Sequence, residues 1–268
     1  MLLKNILYLP YFVYVALLFI LLIISVFPIT LILLLFPSSI TDPCMFWLMK
    51  IISNSWFVLI GMIPRNYNKR KVDFSRSYII TPNHQSLLDA AVIYTSIPRV
   101  FKTLGKIELR KAPIYGIIYK AVVITVDRSS MTARAASFRK MKTALDHGNS
   151  LVIFPEGTFS NTVINDLLPF QDGCFSLAIM QQVDILPVLF LDTSKRMHPS
   201  KFYQCTPGWN RTVYLPPVAC IGLDKKMVAP LKQLTQNYMQ ACLDYSREKG
   251  VHGVWEFALL WQKNNPLN

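Results

Sequence analysis

A histidine and an aspartate five residues apart are the first pair in the chain whose types and spacing suit catalysis. His84 and Asp89 lie in the sequence TPNHQSLLD, residues 81–89. A carboxylate that orients an imidazole makes it an effective general base for proton transfer. Residues five apart in one continuous helix lie about 140° apart around its axis, so the pair can meet only if His84 precedes the helix.

The residues around this pair predict a strand, a tight turn and a helix. The run Tyr78–Thr81 is typical of a strand that stops at Pro82. Ser86 and Asp89 have the spacing of a capping box and precede an apolar run. His84 then lies in the turn, within reach of a carboxylate in the first helical turn. The alternative is that Ser86 and Asp89 only cap a helix and His84 is an exposed loop residue.

Two further clusters follow predicted strands. Lys106 and Arg128 are basic residues near strand ends, where α/β sheets present their ligands, and they suit a phosphate. The alternatives are a solvated helix face for Lys106 and an ion pair for Arg128. In the second cluster an apolar strand runs into the turn Glu156-Gly157-Thr158. Glycine permits close approach of a ligand to its backbone N–H, although an ordinary turn is the alternative.

The pattern after residue 72 predicts an α/β fold with a mixed, largely parallel sheet flanked by helices. The segments predicted as strands are Tyr78–Thr81, Val100–Leu104, Val122–Val126, Leu151–Phe154, Ile185–Phe190 and Thr212–Leu215. Those predicted as helices are Ser86–Thr95, Ala112–Lys120, Thr132–His147, Phe175–Gln181 and Ala229–Glu248.

The chain begins with a strongly apolar region. Tyr11–Phe36 contains no charged residue and exceeds the roughly 20 residues that cross a bilayer, and Met45–Met62 contains one charge. Basic residues flank the two segments on their outer sides and are absent between them. The positive-inside rule then places both outer flanks in the cytoplasm and the short loop between the segments away from it. This predicts a two-helix membrane anchor, residues 1–64, that spans or dips into the membrane, with the α/β domain, residues 65–268, on the cytoplasmic face. The alternative is a single span followed by a buried soluble helix.

The charge balance narrows the class of ligand. The net charge is +13, and sixteen Lys or Arg face four Asp or Glu between residues 62 and 145. This favours an anionic membrane surface or phosphate-bearing ligands. Nucleic acid is not predicted as a partner, because no nucleic-acid motif accompanies the charge. No two of the five cysteines lie closer than fifteen residues, so no zinc spacing and no metal site is predicted.

Four blocks together resemble the membrane-bound glycerolipid acyltransferase family, which includes the 1-acyl-glycerol-3-phosphate acyltransferases. They are Asn-His-x4-Asp at 83–89, Lys-x-Glu…Pro-x-x-Gly…Arg at 106–128, Phe-Pro-Glu-Gly-Thr at 154–158 and Leu-Pro-Val at 186–188. The blocks follow the family's order, and the apolar leader resembles its two-helix anchor. The first and third blocks indicate this family specifically only when they occur together.

This resemblance implies transfer of a fatty acyl group from acyl-CoA or acyl-carrier protein to the free hydroxyl of a lysolipid. The leading acceptor is 1-acyl-glycerol-3-phosphate, which would give phosphatidic acid. His84 would be the base and Asp89 its orienting acid, with no bound cofactor and no covalent intermediate. Membrane lipids are further expected partners, and no oligomeric state is predicted. The residues implied in substrate binding are Asn83, Lys106, Arg128, Glu156, Gly157 and Thr158.

One residue departs from the family pattern. Phe159 stands where typical lysophosphatidic acid enzymes have an arginine, which could bind a phosphate bidentately. A lysophospholipid with a different headgroup is therefore an alternative acceptor. A lipid or thioester hydrolase is another alternative, although the Gly-x-Ser-x-Gly elbow of serine lipases is absent from the sequence. A basic membrane-binding module without activity is the third.

Overall fold

A helical hairpin precedes an α/β unit in the computed structural model, which describes residues 2–126, 130–159 and 166–267. The helices are α1 (Leu2–Leu33), α2 (Ser38–Leu59), α3 (Asp89–Ser96), α4 (Tyr115–Val122), α5 (Met131–Asp146), α6 (Gly173–Gln181), α7 (Thr193–Arg196), α8 (Val228–Glu248) and α9 (Val254–Asn264). The strands are β1 (Met62–Tyr67), β2 (Ile79–Pro82), β3 (Phe101–Lys106), β4 (Val123–Val126), β5 (Ser150–Val152), β6 (Ile185–Phe190) and β7 (Gly208–Tyr214).

The strands form one sheet in the order β1-β7-β6-β2-β5-β3-β4. Neighbouring strands are parallel throughout, except that β6 and β7 are antiparallel. This confirms the predicted mixed, largely parallel sheet flanked by helices. The carboxyl ends of β2 to β6 therefore share one edge of the sheet, and the segments that follow β2, β3 and β5 meet there.

Both faces of the sheet are covered, as expected for parallel strands. Consecutive strand residues point to opposite faces, so Ile79 packs in the core with α5, α6 and α8, and Ile80 packs with α2, α3 and α4. Both side chains are fully buried. This two-sided burial explains why the central strands are continuous apolar runs in the sequence.

Strand β1 was not predicted from the sequence. It pairs only with β7 and forms one end of the sheet. Its sequence, MIPRNY, includes Pro64 and Arg65, which disfavour a central strand. A proline is tolerated at an edge because one side of an edge strand makes no ladder hydrogen bonds.

The two predicted N-terminal helices do form a hairpin, but they differ in character. In α1 the segment Tyr8–Leu33 is long and apolar enough to cross a membrane, and it is mostly unburied. Among the described helices α1 alone meets that criterion. Helix α2 packs against α3, α4 and β1. Its Asp42 pairs with Lys102 of β3 at 2.6 Å, and its Lys50 donates to the carbonyl of Ile97, the residue that follows α3, at 2.6 Å.

Candidate active site

His84 lies in the loop between β2 and α3, as the sequence predicts. Helix α3 begins at Asp89, and Nδ1 of His84 lies 2.8 Å from Oδ2 of Asp89. The Asp89 side chain is fully buried, whereas 20% of the His84 side chain is exposed. The carboxylate is therefore buried, whereas the imidazole it contacts is partly open to solvent.

The same carboxylate oxygen organises the loop backbone. Oδ2 of Asp89 accepts the backbone N–H groups of Gln85 at 2.7 Å and Ser86 at 2.9 Å. These bonds hold the loop that precedes α3 around the Asp89 side chain. In the tautomer in which Nδ1 donates to Asp89, Nε2 is the ring nitrogen that can accept a proton.

Ser86 contributes less to capping than its spacing predicts. Its Oγ accepts the N–H of Leu88 at 3.3 Å and donates to the carbonyl of Met197 at 2.9 Å. The helix begins three residues later than predicted, because Asp89 itself binds the preceding N–H groups. Ser86 thus ties the His84 loop to the segment after α7.

Two phenylalanines enclose the imidazole. The ring of Phe154 stacks on His84 with centroids 4.2 Å apart, and the ring of Phe159 meets it edge-on at 4.8 Å. Strand β5 ends at Val152 rather than Phe154, so the Phe154 ring lies in the loop beside His84. The sequence analysis did not identify Phe154 as a neighbour of the histidine; its place in the motif before Pro155-Glu156 was the available signal.

Glu156 joins the His84 loop to another segment. Its Oε1 accepts the backbone N–H of His84 at 2.8 Å, and its Oε2 accepts that of Leu168 at 2.9 Å. Only 5% of Glu156 is exposed. Burial raises the pKa of Glu156 to about 7, against the opposing effect of the two N–H donors. Both oxygens of its carboxylate accept backbone N–H groups.

The side chain of Asn83 likewise forms hydrogen bonds with the protein backbone. It is fully buried, its Nδ2 donates to the carbonyl of Phe190 at 3.1 Å, and its Oδ1 accepts the Phe190 N–H at 2.6 Å. The amide therefore continues the β2–β6 pairing beyond Pro82. This fixes the direction in which the chain enters the His84 loop.

The other expected substrate residues are distributed along the same edge. Gly157 has a left-handed φ of 70°, and its N–H donates to the carbonyl of Phe154 at 3.1 Å, so the turn itself uses that donor. Thr158 is exposed beside it. Lys106 is exposed at the end of β3, two strands from β2, which corresponds to about 10 Å of lateral separation. Arg128 lies outside the described residues.

Known proteins share this arrangement of sequence and fold. The family model described as Acyltransferase matches residues 64–191. A 1-acyl-sn-glycerol-3-phosphate acyltransferase of Cocos nucifera is 36% identical over 113 residues, which cover 41% of this chain and 36% of that protein. The human 1-acyl-sn-glycerol-3-phosphate acyltransferase alpha is 31% identical over 168 residues, covering 62% of this chain and 58% of that protein.

A solved structure extends the likeness to nearly the whole chain. The crystal structure of the 1-acyl-sn-glycerophosphate acyltransferase PlsC from Thermotoga maritima aligns with a TM-score of 0.72 at 20% identity, covering 92% of this chain and 97% of that one. That match shows the shared fold. The chain spans between about a third and three fifths of the length of the two relatives given above. Residues 64–191 thus resemble the acyltransferase family in sequence, and the chain shares the fold of a solved acyltransferase.

Proposed function

We propose that the protein is an O-acyltransferase that moves a fatty acyl group from a thioester to the free hydroxyl of a lysolipid. The thioester is acyl-CoA or acyl-carrier protein, and the leading acceptor is 1-acyl-glycerol-3-phosphate. The observation that carries this proposal is the His84–Asp89 contact of 2.8 Å at the carboxyl edge of the sheet. The names of the relatives support this substrate class.

The proposed reaction needs one base and no covalent intermediate. Nε2 of His84 removes the hydroxyl proton as the lipid oxygen attacks the thioester carbonyl carbon. The buried carboxylate of Asp89 stabilises the imidazolium that forms. Collapse of the tetrahedral intermediate breaks the carbon–sulfur bond, and the imidazolium returns the proton to the departing thiolate. The products are an ester and a free thiol.

The remaining residues divide into two proposed roles. Asn83 and Glu156 hold the His84 loop, because their side chains are buried and bonded to backbone. Lys106 and Arg128 bind the acceptor phosphate, and the exposed end of β3 is consistent with that role for Lys106. Thr158 is exposed on the turn beside Phe159 and lines the acceptor pocket.

The aromatic contacts of His84 favour transfer to a lipid over transfer to water. Phe154 and Phe159 cover much of the imidazole, leaving 20% of the side chain exposed. Apolar rings beside the base limit the approach of water and leave an apolar surface for the acceptor. We therefore assign Phe159 to the acceptor pocket, at the position where related enzymes have a phosphate-binding arginine.

The hairpin would hold this site against a membrane without α2 crossing it. Asp42 near the start of α2 pairs with β3, and Lys50 near its middle binds the carboxyl end of α3. A transmembrane α2 would bring those elements into the hydrocarbon, where their polar groups are costly. We propose that α1 and α2 lie along one leaflet, with the exposed apolar side of α1 in lipid.

The test of the proposed function is a product survey with purified protein in vesicles. Wild type is incubated with acyl-CoA or acyl-carrier protein and a panel of lysolipids, and products are identified by mass spectrometry. Diacyl lipid should form with wild type and with a His147→Ala control, which changes an exposed histidine, and should be absent with His84→Ala. Release of free fatty acid without diacyl lipid would show a hydrolase instead, and full activity of His84→Ala would refute the mechanism.

A further inference from the structure

A concave site lies at the edge of the sheet, away from His84. It is a cavity of about 170 Å³ beside β4, the last strand in the sheet order. We call it the β4 cavity. Among the described residues that line it none is acidic, and four are cationic: Lys102, Arg110, Lys120 and Lys140.

Only one of these cations has its charge compensated within the described part of the chain. Lys102 pairs with Asp42 at 2.6 Å and also donates to the carbonyl of Ala121 at 3.0 Å. Arg110 donates to the Thr125 hydroxyl, a neutral group, at 3.3 Å. Lys120 and Lys140 are exposed, and across residues 2–126, 130–159 and 166–267 no carboxylate is paired with either.

The three uncompensated charges come from different elements. Arg110 belongs to the 3-10 turn Ile107–Lys111, Lys120 to the last turn of α4 and Lys140 to α5. Like charges that converge on a concave surface repel one another unless an anion binds between them. The surrounding sequence adds to the positive electrostatic potential, since residues 102–142 contain ten Lys or Arg and two acidic residues.

We propose that the β4 cavity binds the phosphate groups of a ligand. A phosphate monoester carries about −1.5 to −2 charge near pH 7, which matches several cations better than a single carboxylate does. The planar guanidinium of Arg110 suits the oxygen pairs of a phosphate, and the Thr125 hydroxyl beside it is a further donor.

The position of the cavity limits the shape of that ligand. Strand β4 is three strands from β2, a lateral separation of about 14 Å. A ligand that reaches both sites must be elongated, with phosphates at one end and its reactive group at the other. Acyl-CoA has this layout, so under the proposed function, on which this step rests, the cavity holds the nucleotide of the donor. An anionic lipid headgroup offers the same phosphate chemistry.

The direct test uses adenosine 3′,5′-bisphosphate, which contains the phosphates but no thioester. Its binding to the full chain in detergent micelles is measured by calorimetry for wild type and for the double variant Lys120→Gln/Lys140→Gln. Loss of two charged contacts should weaken binding by at least about tenfold. The matched control is Lys142→Gln, an exposed lysine of α5 that pairs with Asp146 outside the cavity, and it should bind as wild type does.

A second arm identifies the source of the phosphate. Flotation with phosphatidylcholine vesicles, with and without phosphatidylglycerol, measures the preference for anionic lipid. If the double variant loses binding of the bisphosphate, the cavity binds the nucleotide of the donor. If it loses only the preference for anionic vesicles, the cavity binds a lipid headgroup. Equal behaviour of wild type and double variant in both measurements overturns the site. Because neither arm requires acyl transfer, failure of the proposed function would be seen separately.

Discussion

The carboxylate of Glu156 accepts the backbone N–H of His84 at 2.8 Å, so an acid from the turn after β5 fixes the position of the candidate base after β2. Its second oxygen accepts the Leu168 N–H at 2.9 Å. One buried side chain therefore connects three separate segments of the chain. We propose Glu156 as a positioning residue, because its carboxylate binds the backbone of the His84 loop.

Replacing Glu156 by glutamine should reduce catalysis without abolishing the fold. Glutamine keeps one acceptor oxygen but places an NH2 group against the other N–H, which displaces the His84 loop or the Leu168 segment. Misplacement of about 1 Å at a reacting group lowers a rate on the order of 100-fold. We expect kcat to fall by that order with a smaller change in KM. The matched control is Glu248→Gln at an exposed site on α8, and equal kcat values for both variants would refute the positioning role.

The raised pKa of Glu156 predicts a pH-dependent cost to stability. The carboxyl has an ordinary pKa of 4.5 and a folded pKa of about 7, so the folded state binds more protons than the unfolded state between those values. The stabilising contribution of Glu156 to the free energy of unfolding is therefore fully present below pH 4.5 and is lost as the pH rises through 7. The loss amounts to about 3 kcal/mol.

Urea unfolding of wild type and Glu156→Gln from pH 4 to pH 8 measures this effect. The variant cannot ionise at this position, so its unfolding free energy should increase relative to that of wild type as the pH rises through the window. A constant difference between the two proteins across the range would show that the Glu156 pKa is not raised by folding.

Asp89→Asn should separate the charge of the carboxylate from its geometry. An amide oxygen can still accept the N–H groups of Gln85 and Ser86, so the loop should be retained. A neutral amide stabilises an imidazolium poorly, and kcat should fall on the order of 10³-fold or more. Steady-state kinetics checks this against Asp146→Asn, an exposed control on α5. A variant with unchanged kcat would show that Asp89 only caps the helix.

The sequence predicted the strand–turn–helix around His84 because each of its signals is local. The run before Pro82 and the spacing of Ser86 and Asp89 are complete within twelve residues, and the His84–Asp89 contact follows from them. The same logic predicted most strands, since buried parallel strands are continuous apolar runs. Strand β1 was not predicted because its pairing with β7 joins segments that are far apart in the chain.

The partners of Glu156 and Asn83 depend on equally distant contacts. A polar residue after a strand is typical of a ligand site, and nothing local shows that Glu156 instead binds the N–H groups of His84 and Leu168. Asn83 similarly pairs with Phe190, which is 107 residues away. Local patterns therefore predicted the contact between His84 and Asp89 more directly than the contacts of the residues that hold the His84 loop.

The packing of α2 on the α/β unit predicts a topology that labelling can check. If α1 and α2 lie along one leaflet, their connection and the C-terminal helix α9 are on the same side of the membrane. Cysteines are introduced singly at the exposed positions Ser39 and Lys263, with the exposed Cys44 replaced by serine. A membrane-impermeant maleimide added outside oriented vesicles should label both or neither. Labelling of only one would show that α2 crosses the bilayer.

Under the proposed function, Phe159→Arg should change which acceptor is preferred. The phenylalanine ring lies edge-on to His84 at 4.8 Å, so an arginine there would place a guanidinium close to the reacting hydroxyl. A guanidinium binds a phosphate monoester bidentately and gains less from a choline-substituted phosphate. We expect the ratio of kcat/KM for lysophosphatidate to that for lysophosphatidylcholine to rise about tenfold.

Phe159→Leu is the matched control for that experiment, because it removes the ring without adding charge. It should leave the acceptor ratio near the wild-type value while admitting more water to His84, which raises thioester hydrolysis relative to acyl transfer. Mass spectrometry of diacyl lipid and free fatty acid measures both quantities in the same reaction. If Phe159→Arg and Phe159→Leu shift the acceptor ratio equally, the ring excludes substrates by size, and position 159 does not read the headgroup charge.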